Sequence, residues 1–410
     1  MAGEWRASTW GEEISLEYGK SLRDYDKASG KYRVFGSNGP IGWTDKPLAS
    51  GPGVILGRKG AYRGIEFSRT PFFVIDTAYY VVPKSELDMR WLYYAIKYHK
   101  LGDIDDGSPI PSTTRSAVYV RDFDVPPLAE QKAIAAMLGA LDDKIELNRR
   151  MNATLEAMAR VLFQSWFVDF DPVRAKLDGR KPAALDPATA ALFPDSFQES
   201  SLGPIPHGWT ADTIKNRASI IQYGFTQSAT KEPVGPHFLR ITDISGGRID
   251  WASVPFCQAT DEEREKYRIL DGDIFIARTG ASTGDNIYAV EPPPAVFASY
   301  LIRLQFRSRG LGRLVGEFTR TPDYASYVAG NIGGSAQPNA SAQTLASAAM
   351  VFPTEDIADA FYRTVRPLDL MRAANDRESR TLATLRDTLL PKLLSGELSI
   401  TVPETLEGIQ

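Results

Sequence analysis

The sequence predicts an α+β fold: two pseudo-symmetric mixed α/β modules, separated by two long helices that pair as an antiparallel coiled coil. Three observations predict it. A repeat recurs after about half the chain. An unbroken heptad seam follows the first copy, and a second, slipped seam follows the other. With 410 residues the chain has room for two or three domains. Hydrophobic residues make up 43% and charged residues 24%, which excludes a mainly disordered chain. The single Cys257 excludes a disulfide framework, and His99, His207 and His237 fit no metal-ligand spacing. The formal net charge of −4, taken alone, argues against a general polyanion binder.

The repeat carries the modules. Gly51-Pro-Gly-Val-Ile-Leu-Gly-Arg58-Lys-Gly60-Ala-Tyr-Arg-Gly64 has a counterpart in Asp271-Gly-Asp-Ile-Phe-Ile-Ala-Arg278-Thr-Gly280-Ala-Ser-Thr-Gly284. Each reads as a turn, a short apolar strand, Arg-x-Gly-Ala and a second glycine, with Arg278 following Arg58 by 220 positions. A Tyr-Gly turn precedes each copy, at Tyr18-Gly19 and Tyr223-Gly224, and β-rich runs follow at Phe72–Val82 and Ala295–Phe306. Gly107-Ser108-Pro-Ile-Pro111 then answers to Gly334-Ser335-Ala-Gln-Pro338-Asn339, at an offset of 227.

The first helix opens at Val125-Pro126-Pro127, proline being favoured at a helix start. Its seam runs Ile134, Leu138, Leu141, Ile145, Asn148, Asn152, Leu155, Ala159, Leu162, Trp166 in steps of four and three. From Leu128 to Trp166 it spans about 58 Å at ~1.5 Å per residue. Asn148 and Asn152 interrupt the seam, and buried Asn costs stability while fixing register. The second helix opens at Val351-Phe352-Pro353 and runs through Phe361, Val365, Leu368, Met371, Asn375, Leu382, Leu385 and Leu389. A kink or break is expected at Pro367, and a glycine stop at Gly396. The Pro- and Ala-rich stretch between the first helix and the second module reads as a surface linker. The expected division is a first module over 1–125, a spacer helix over 126–170, a linker over 171–205, a second module over 206–350, a second spacer helix over 351–396 and a tail over 397–410.

Catalytic signatures are missing. Gly19-Lys20-Ser21 lacks the earlier glycine of a phosphate loop, since Ile14 stands there. No dinucleotide fingerprint or Gly-x-Ser-x-Gly elbow occurs, and Glu291-Pro-Pro-Pro294 has the wrong flanks for an amino-methyltransferase loop. Asp142-Asp143-Lys144 reads as a solvated charge cluster rather than a nuclease metal site. Met1–Trp10 has no apolar core, so no signal peptide is expected. With no apolar run near ~18 residues and one free Cys, a soluble cytoplasmic setting without membrane contact is expected.

Pro126-Pro-Leu-Ala-Glu-Gln-Lys-Ala-Ile-Ala135, Leu141-Asp-Asp-Lys-Ile-Glu-Leu-Asn148 and Leu162-Phe-Gln-Ser-Trp-Phe167 resemble the first spacer helix of type I restriction–modification specificity subunits. Leu389-Leu-Pro-Lys-Leu-Leu-Ser-Gly-Glu397 resembles the second, and the half-chain repeat resembles that family's two target recognition domains. The second copy departs at Pro353-Thr-Glu-Asp-Ile, which lacks the Glu-Gln pair. The resemblance implies a non-catalytic chain that reads a split, asymmetric sequence in double-stranded DNA. It implies assembly with two methyltransferase subunits, which would hold S-adenosylmethionine while this chain binds no cofactor, and with nuclease–translocase subunits in a restriction complex. A two-module protein-binding scaffold is the alternative.

Reading DNA needs donors and acceptors at base edges together with backbone contacts that fix register. Glycine-rich loops permit close approach. The candidates in the first module are Ser37 and Asn38, then Arg58, Lys59, Tyr62 and Arg63, then Ser108, Ser112 and Thr113. In the second they are Tyr223, then Arg278, Thr279 and Ser282, then Gln337 and Asn339. The first loop also fits an ordinary turn, either arginine can bridge to a core-facing carboxylate, and Pro-Asn also makes turns. Trp91, Tyr93 and Tyr94 have the spacing of core residues on a helix. Residues 1–125 hold 17 Lys+Arg against 16 Asp+Glu, so the acidic surplus lies downstream. The expectation is weak, salt-sensitive DNA binding by the chain alone and tight binding once partners join.

Overall fold

The computed structural model describes residues 5–25, 29–105, 107, 110–332 and 339–400. They form two compact units, one of 1–147 with 379–410 and one of 148–378.

The first unit begins with β1 (Arg6–Thr9) and β2 (Ile14–Tyr18), then β3 (Tyr32–Gly36), β4 (Gly39–Thr44), β5 (Gly53–Gly57), β6 (Ile65–Ser68), β7 (Phe72–Val74) and β8 (Ala78–Pro83). Helices α1 (Met89–Tyr98) and α2 (Arg115–Tyr119), strand β9 (Asp122–Val125) and the start of α3 (Leu128–Phe163) complete it. Its main sheet has the order β2-β8-β5-β6, all antiparallel. The second sheet, β4-β3-β7, carries one parallel pair, and β1 and β9 make a separate ribbon. Strand β5 is buried along its whole length, as its unbroken apolar run requires. Asp88 caps α1 by accepting from the Arg90 and Trp91 amides. Trp91 and Tyr94 of that helix are buried in the core, as their spacing predicted.

The second unit opens with α4 (Asp171–Leu177) and α5 (Pro187–Leu192). Strands β10 (Thr210–Thr213), β11 (Ile220–Tyr223), β12 (His237–Leu239), β13 (Ile274–Ala277), β14 (Asn286–Tyr288), β15 (Ala295–Phe297) and β16 (Leu301–Gln305) follow. It closes with α6 (Arg309–Phe318), α7 (Pro322–Asn331), α8 (Ala342–Ala346), β17 (Ala349–Phe352) and the start of α9 (Glu355–Leu394). The sheet order β11-β16-β13-β14, the parallel β12-β15 pair and the β10-β17 ribbon repeat the first unit's main sheet, its parallel β3-β7 pair and its β1-β9 ribbon, while β4 has no counterpart among the described strands.

Both long helices exist, and each unit contains a stretch of both. In the first unit Ile134 and Leu138 are fully buried in one cluster with Leu393 and Leu394, and Leu389 packs against it. The Arg386 guanidinium donates to Asp142 at 2.7 Å. In the second unit Leu155, Ala159 and Trp166 are buried, and Leu162 and Leu368 pack beside them. The expected asparagines are buried and joined: Asn375 Nδ2 donates to Asn152 Oδ1 at 2.9 Å, and Asn148 Nδ2 reaches Glu378 at 2.8 Å. Gly396 lies just past the end of α9 with φ +72°, the left-handed conformation glycine takes at a helix stop.

Four expectations are corrected. Helix α9 runs through Pro367 without interruption. The proline is exposed, while Val365 and Asp369 on either side of it are buried and hold the helix to the second unit's core. Leu385 is 46% exposed and Met371 is 48% exposed. Their places are taken by polar residues, since Arg386 and Arg372 reach across to Asp142 and Glu156. Segment 171–205 is not a surface linker. Val173, Phe193 and Ile205 are buried with Trp166 and Trp209, and the Trp166 and Phe193 rings meet edge to face at 5.2 Å. Finally, Asp142 and Asp143 are ion-paired ties rather than a solvated cluster. Asp142 accepts from the Tyr94 hydroxyl at 2.5 Å, and Asp143 pairs with Arg90 and Arg69. No helix among the described residues is long and apolar enough to cross a membrane.

Candidate nucleic-acid interface

In the first unit the buried strand β5 delivers Arg58 at the start of a loop that folds back to Gly64. The turn after β3 comes so close that a Cβ on Gly57 would lie 2.1 Å from the Ser37 carbonyl oxygen. The Gly64 amide donates to that same oxygen at 2.8 Å. The Ser37 hydroxyl lies 2.7 Å from the Thr77 carbonyl and accepts the Lys59 amide at 3.1 Å, so it fastens the loop. Asn38, Lys59 and Tyr62 are exposed, Tyr62 at 78%.

The Arg58 guanidinium stands 4.9 Å from the Tyr18 ring centre and donates to the Asp76 carbonyl at 2.9 Å. Among the described residues no carboxylate pairs with it, so the core-facing ion pair open to it in sequence is not formed. Arg115 shares the same ring at 4.2 Å, with Glu17 at 3.6 Å. Beneath them burial, aided by Tyr18, pushes the Tyr79 phenol up to about 12, and Arg58 and Arg115 only partly offset this. Tyr79 therefore stays a neutral donor to the Thr113 carbonyl at 3.3 Å.

Two candidates turn inward. Arg63 spends its guanidinium on the carbonyls of Gly60 (2.7 Å), Gly102 (2.8 Å) and Ile104 (3.2 Å) and on Thr113 Oγ1 (3.1 Å). Thr113 is fully buried and donates to the Ile104 carbonyl. Both build the loop from below, because four acceptors left by two converging turns need a five-donor side chain. The Ser112 hydroxyl donates to the Ile110 carbonyl at 3.0 Å. Ser108 and Gln337 lie outside the described residues.

The second unit repeats the plan with different chemistry. Arg278 lies 5.1 Å from the Tyr223 ring centre, and its Nη2 reaches Asn339 Oδ1 at 3.3 Å. The Tyr223 hydroxyl accepts the Ala342 amide at 2.8 Å. Thr279 pairs with Asn339 as Lys59 pairs with Ser112. The Ala340 amide donates to the Arg278 carbonyl at 2.9 Å, as the Thr113 amide does to that of Arg58. These partners stand 220 and 227 positions apart, the two offsets of the sequence repeat. Ser282 closes the short turn Gly280–Ser282, entered through Gly280 at φ +74°.

Sequence reasoning missed Tyr18, Arg115 and the 55%-exposed Tyr300, whose carbonyl accepts the Arg278 amide. Tyr18 was within reach, being the repeat counterpart of Tyr223. Arg115 had no signal, because at the same offset the second copy has Ala342. No group of three or more His, Cys, Asp or Glu among the described residues is arranged to hold a metal ion.

The family model described as "Type I restriction modification DNA specificity domain" matches residues 10–157. The chain is 25% identical over 388 residues to the type I restriction enzyme HindI specificity subunit of Haemophilus influenzae, covering 80% of each chain. It is 21% identical over 419 residues to the MjaIX specificity subunit of Methanocaldococcus jannaschii, covering 95% of this chain and 88% of that one. The crystal structure of a type I restriction–modification S subunit from M. genitalium has the same fold, with a TM-score of 0.62 at 16% identity over 97% of both chains.

Proposed function

We propose, from the premise that this chain belongs to the type I restriction–modification specificity subunits, that it reads a split, asymmetric DNA target with one half-site per module. As a specificity subunit the chain is not itself an enzyme, and subunits of its class work in complexes with others. Two methyltransferase subunits with their S-adenosylmethionine, and in a restriction complex nuclease–translocase subunits, would supply the chemistry.

The observation that carries the reading is the duplicated Arg-on-Tyr arrangement. Arg58 and Arg278 sit at equivalent places, each braced by an aromatic ring and without a carboxylate partner among the described residues. An arginine held in place loses less freedom when it meets guanine or phosphate. The surroundings differ, with a second guanidinium in one module and an asparagine in the other. Two different sequences are what such a difference would read.

The two long helices, whose residues between the modules do no reading, would set the length of the unread gap. Adding one heptad between Leu147 and Asn148, with another between Glu378 and Ser379, is expected to lengthen the gap and leave both half-sequences unchanged. Methylome sequencing of cells carrying the variant and its methyltransferase subunit checks this. Altered half-sequences at an unchanged gap would defeat it.

A further inference from the structure

The first unit holds a cavity of about 560 Å³ away from the Arg58 loop. Trp5, His99 and Phe123 give it aromatic walls, and Glu12, Asp122 and Asp124 stand at its margin. The walls are fixed. Trp5 Nε1 donates to Glu130 at 3.2 Å, and the His99 and Phe123 rings meet edge to face at 5.9 Å. The His99 imidazole makes no hydrogen bond among the described residues, and burial holds its pKa below the usual range, so near pH 7 it is neutral and does not repel a cation. Asp122 and Asp124 are exposed on β9, with no ion pair or side-chain hydrogen bond among the described residues.

The second unit is an internal control. Its β10-β17 ribbon has the same register: Thr213 faces Ala349 as Thr9 faces Asp122, and Ala211 faces Val351 as Ala7 faces Asp124. Thr319 caps α6 where His99 caps α1, and Asn216 stands at the place of Glu12. The ribbon therefore folds without either aspartate and without the imidazole. Glu12 closes the capping box at Thr9, so the fold accounts for it; the fold does not account for the two aspartates beside the aromatic cavity.

We propose that this cavity is a docking socket, confined to the first module, for a cationic side chain (arginine or lysine) of a methyltransferase subunit. Aromatic faces and carboxylates together recognise a guanidinium or ammonium, through ring quadrupole and charge at once. The tail at 401–410 has no Lys or Arg and two Glu, so its side chains do not supply the cation. The proposal rests on the functional reading above, in which two methyltransferase subunits join the chain.

Native mass spectrometry and sedimentation of the full chain with its methyltransferase subunit test it, comparing wild type with Asp122→Asn/Asp124→Asn. The double variant is expected to hold one of the two copies about tenfold or more weaker and to leave the other unchanged, with the difference shrinking at high salt. Its melting curve and its DNA binding without partners should match wild type, which separates socket loss from misfolding. Two copies bound at wild-type affinity, or both weakened alike, would overturn the proposal. So would spermidine binding by the chain alone that depends on the two aspartates while assembly is untouched. If wild type binds no methyltransferase, the functional reading fails along with the socket; if wild type and variant assemble equally, only the socket fails.

Discussion

Arg313→Met is expected to destabilise the second unit by about 3–5 kcal/mol, the usual cost of stranding a buried charge. Arg313 is 2% exposed and lies between Asp369, at 2.7 and 3.1 Å, and Glu317, at 2.7 Å. Burial alone would push its guanidinium down, but the two carboxylates hold it above its usual value. Methionine fills similar space and strips two buried carboxylates, 5% and 2% exposed, of their salt-bridge partner. Because α6 contributes Arg313 and α9 contributes Asp369, the loss should appear as faster hydrogen exchange across β13 and β16. Replacing all three residues with apolar side chains of similar volume should recover most of the loss. An Arg313→Met protein as stable as wild type would show that the triad contributes little.

Gly19→Ala is expected to cost about 1–3 kcal/mol, as overpacking does, and to weaken reading of the first half-site. A Cβ there would lie 2.0 Å from the Ile75 carbonyl oxygen and 2.5 Å from that of Val74. Both are backbone atoms and cannot rotate away. The Gly19 and Lys20 amides, bonded to Ala78 and Val74, must shift, and Tyr18 moves with them away from Arg58. Gly224→Ala should do the same in the second unit, where the Ala298 and Phe297 carbonyl oxygens are each 2.3 Å away. Thermal melts followed by binding to DNA with one half-site scrambled would check both. Equal loss at both half-sites from either change would contradict the assignment of one half to each module.

What the sequence made legible was what repeats. The offsets of 220 and 227 located equivalent loops because both copies need glycine where backbones touch. The heptad steps found Ile134, Leu138 and Leu155 because an apolar face recurs at fixed intervals. Single-residue roles were less legible. Arg63 and Arg58 sit five residues apart in one loop, and only the fold shows that carbonyls consume one and leave the other facing a ring. Segment 171–205 looked like a linker because its few large apolar residues are far apart in sequence, yet they converge on Trp166 and Trp209. Pro367 lost its expected effect because packing on both sides of it outweighs one missing hydrogen bond.

In the proposed function each module reads one half of the target. Methylome sequencing of cells expressing the methyltransferase subunit with wild type, Arg58→Ala or Arg278→Ala tests it most directly. Losing one base-edge contact costs about 1–3 kcal/mol. A split motif is expected, in which Arg58→Ala relaxes or abolishes one half only and Arg278→Ala the other half only. A single continuous motif, or both halves degraded alike by either change, would contradict it.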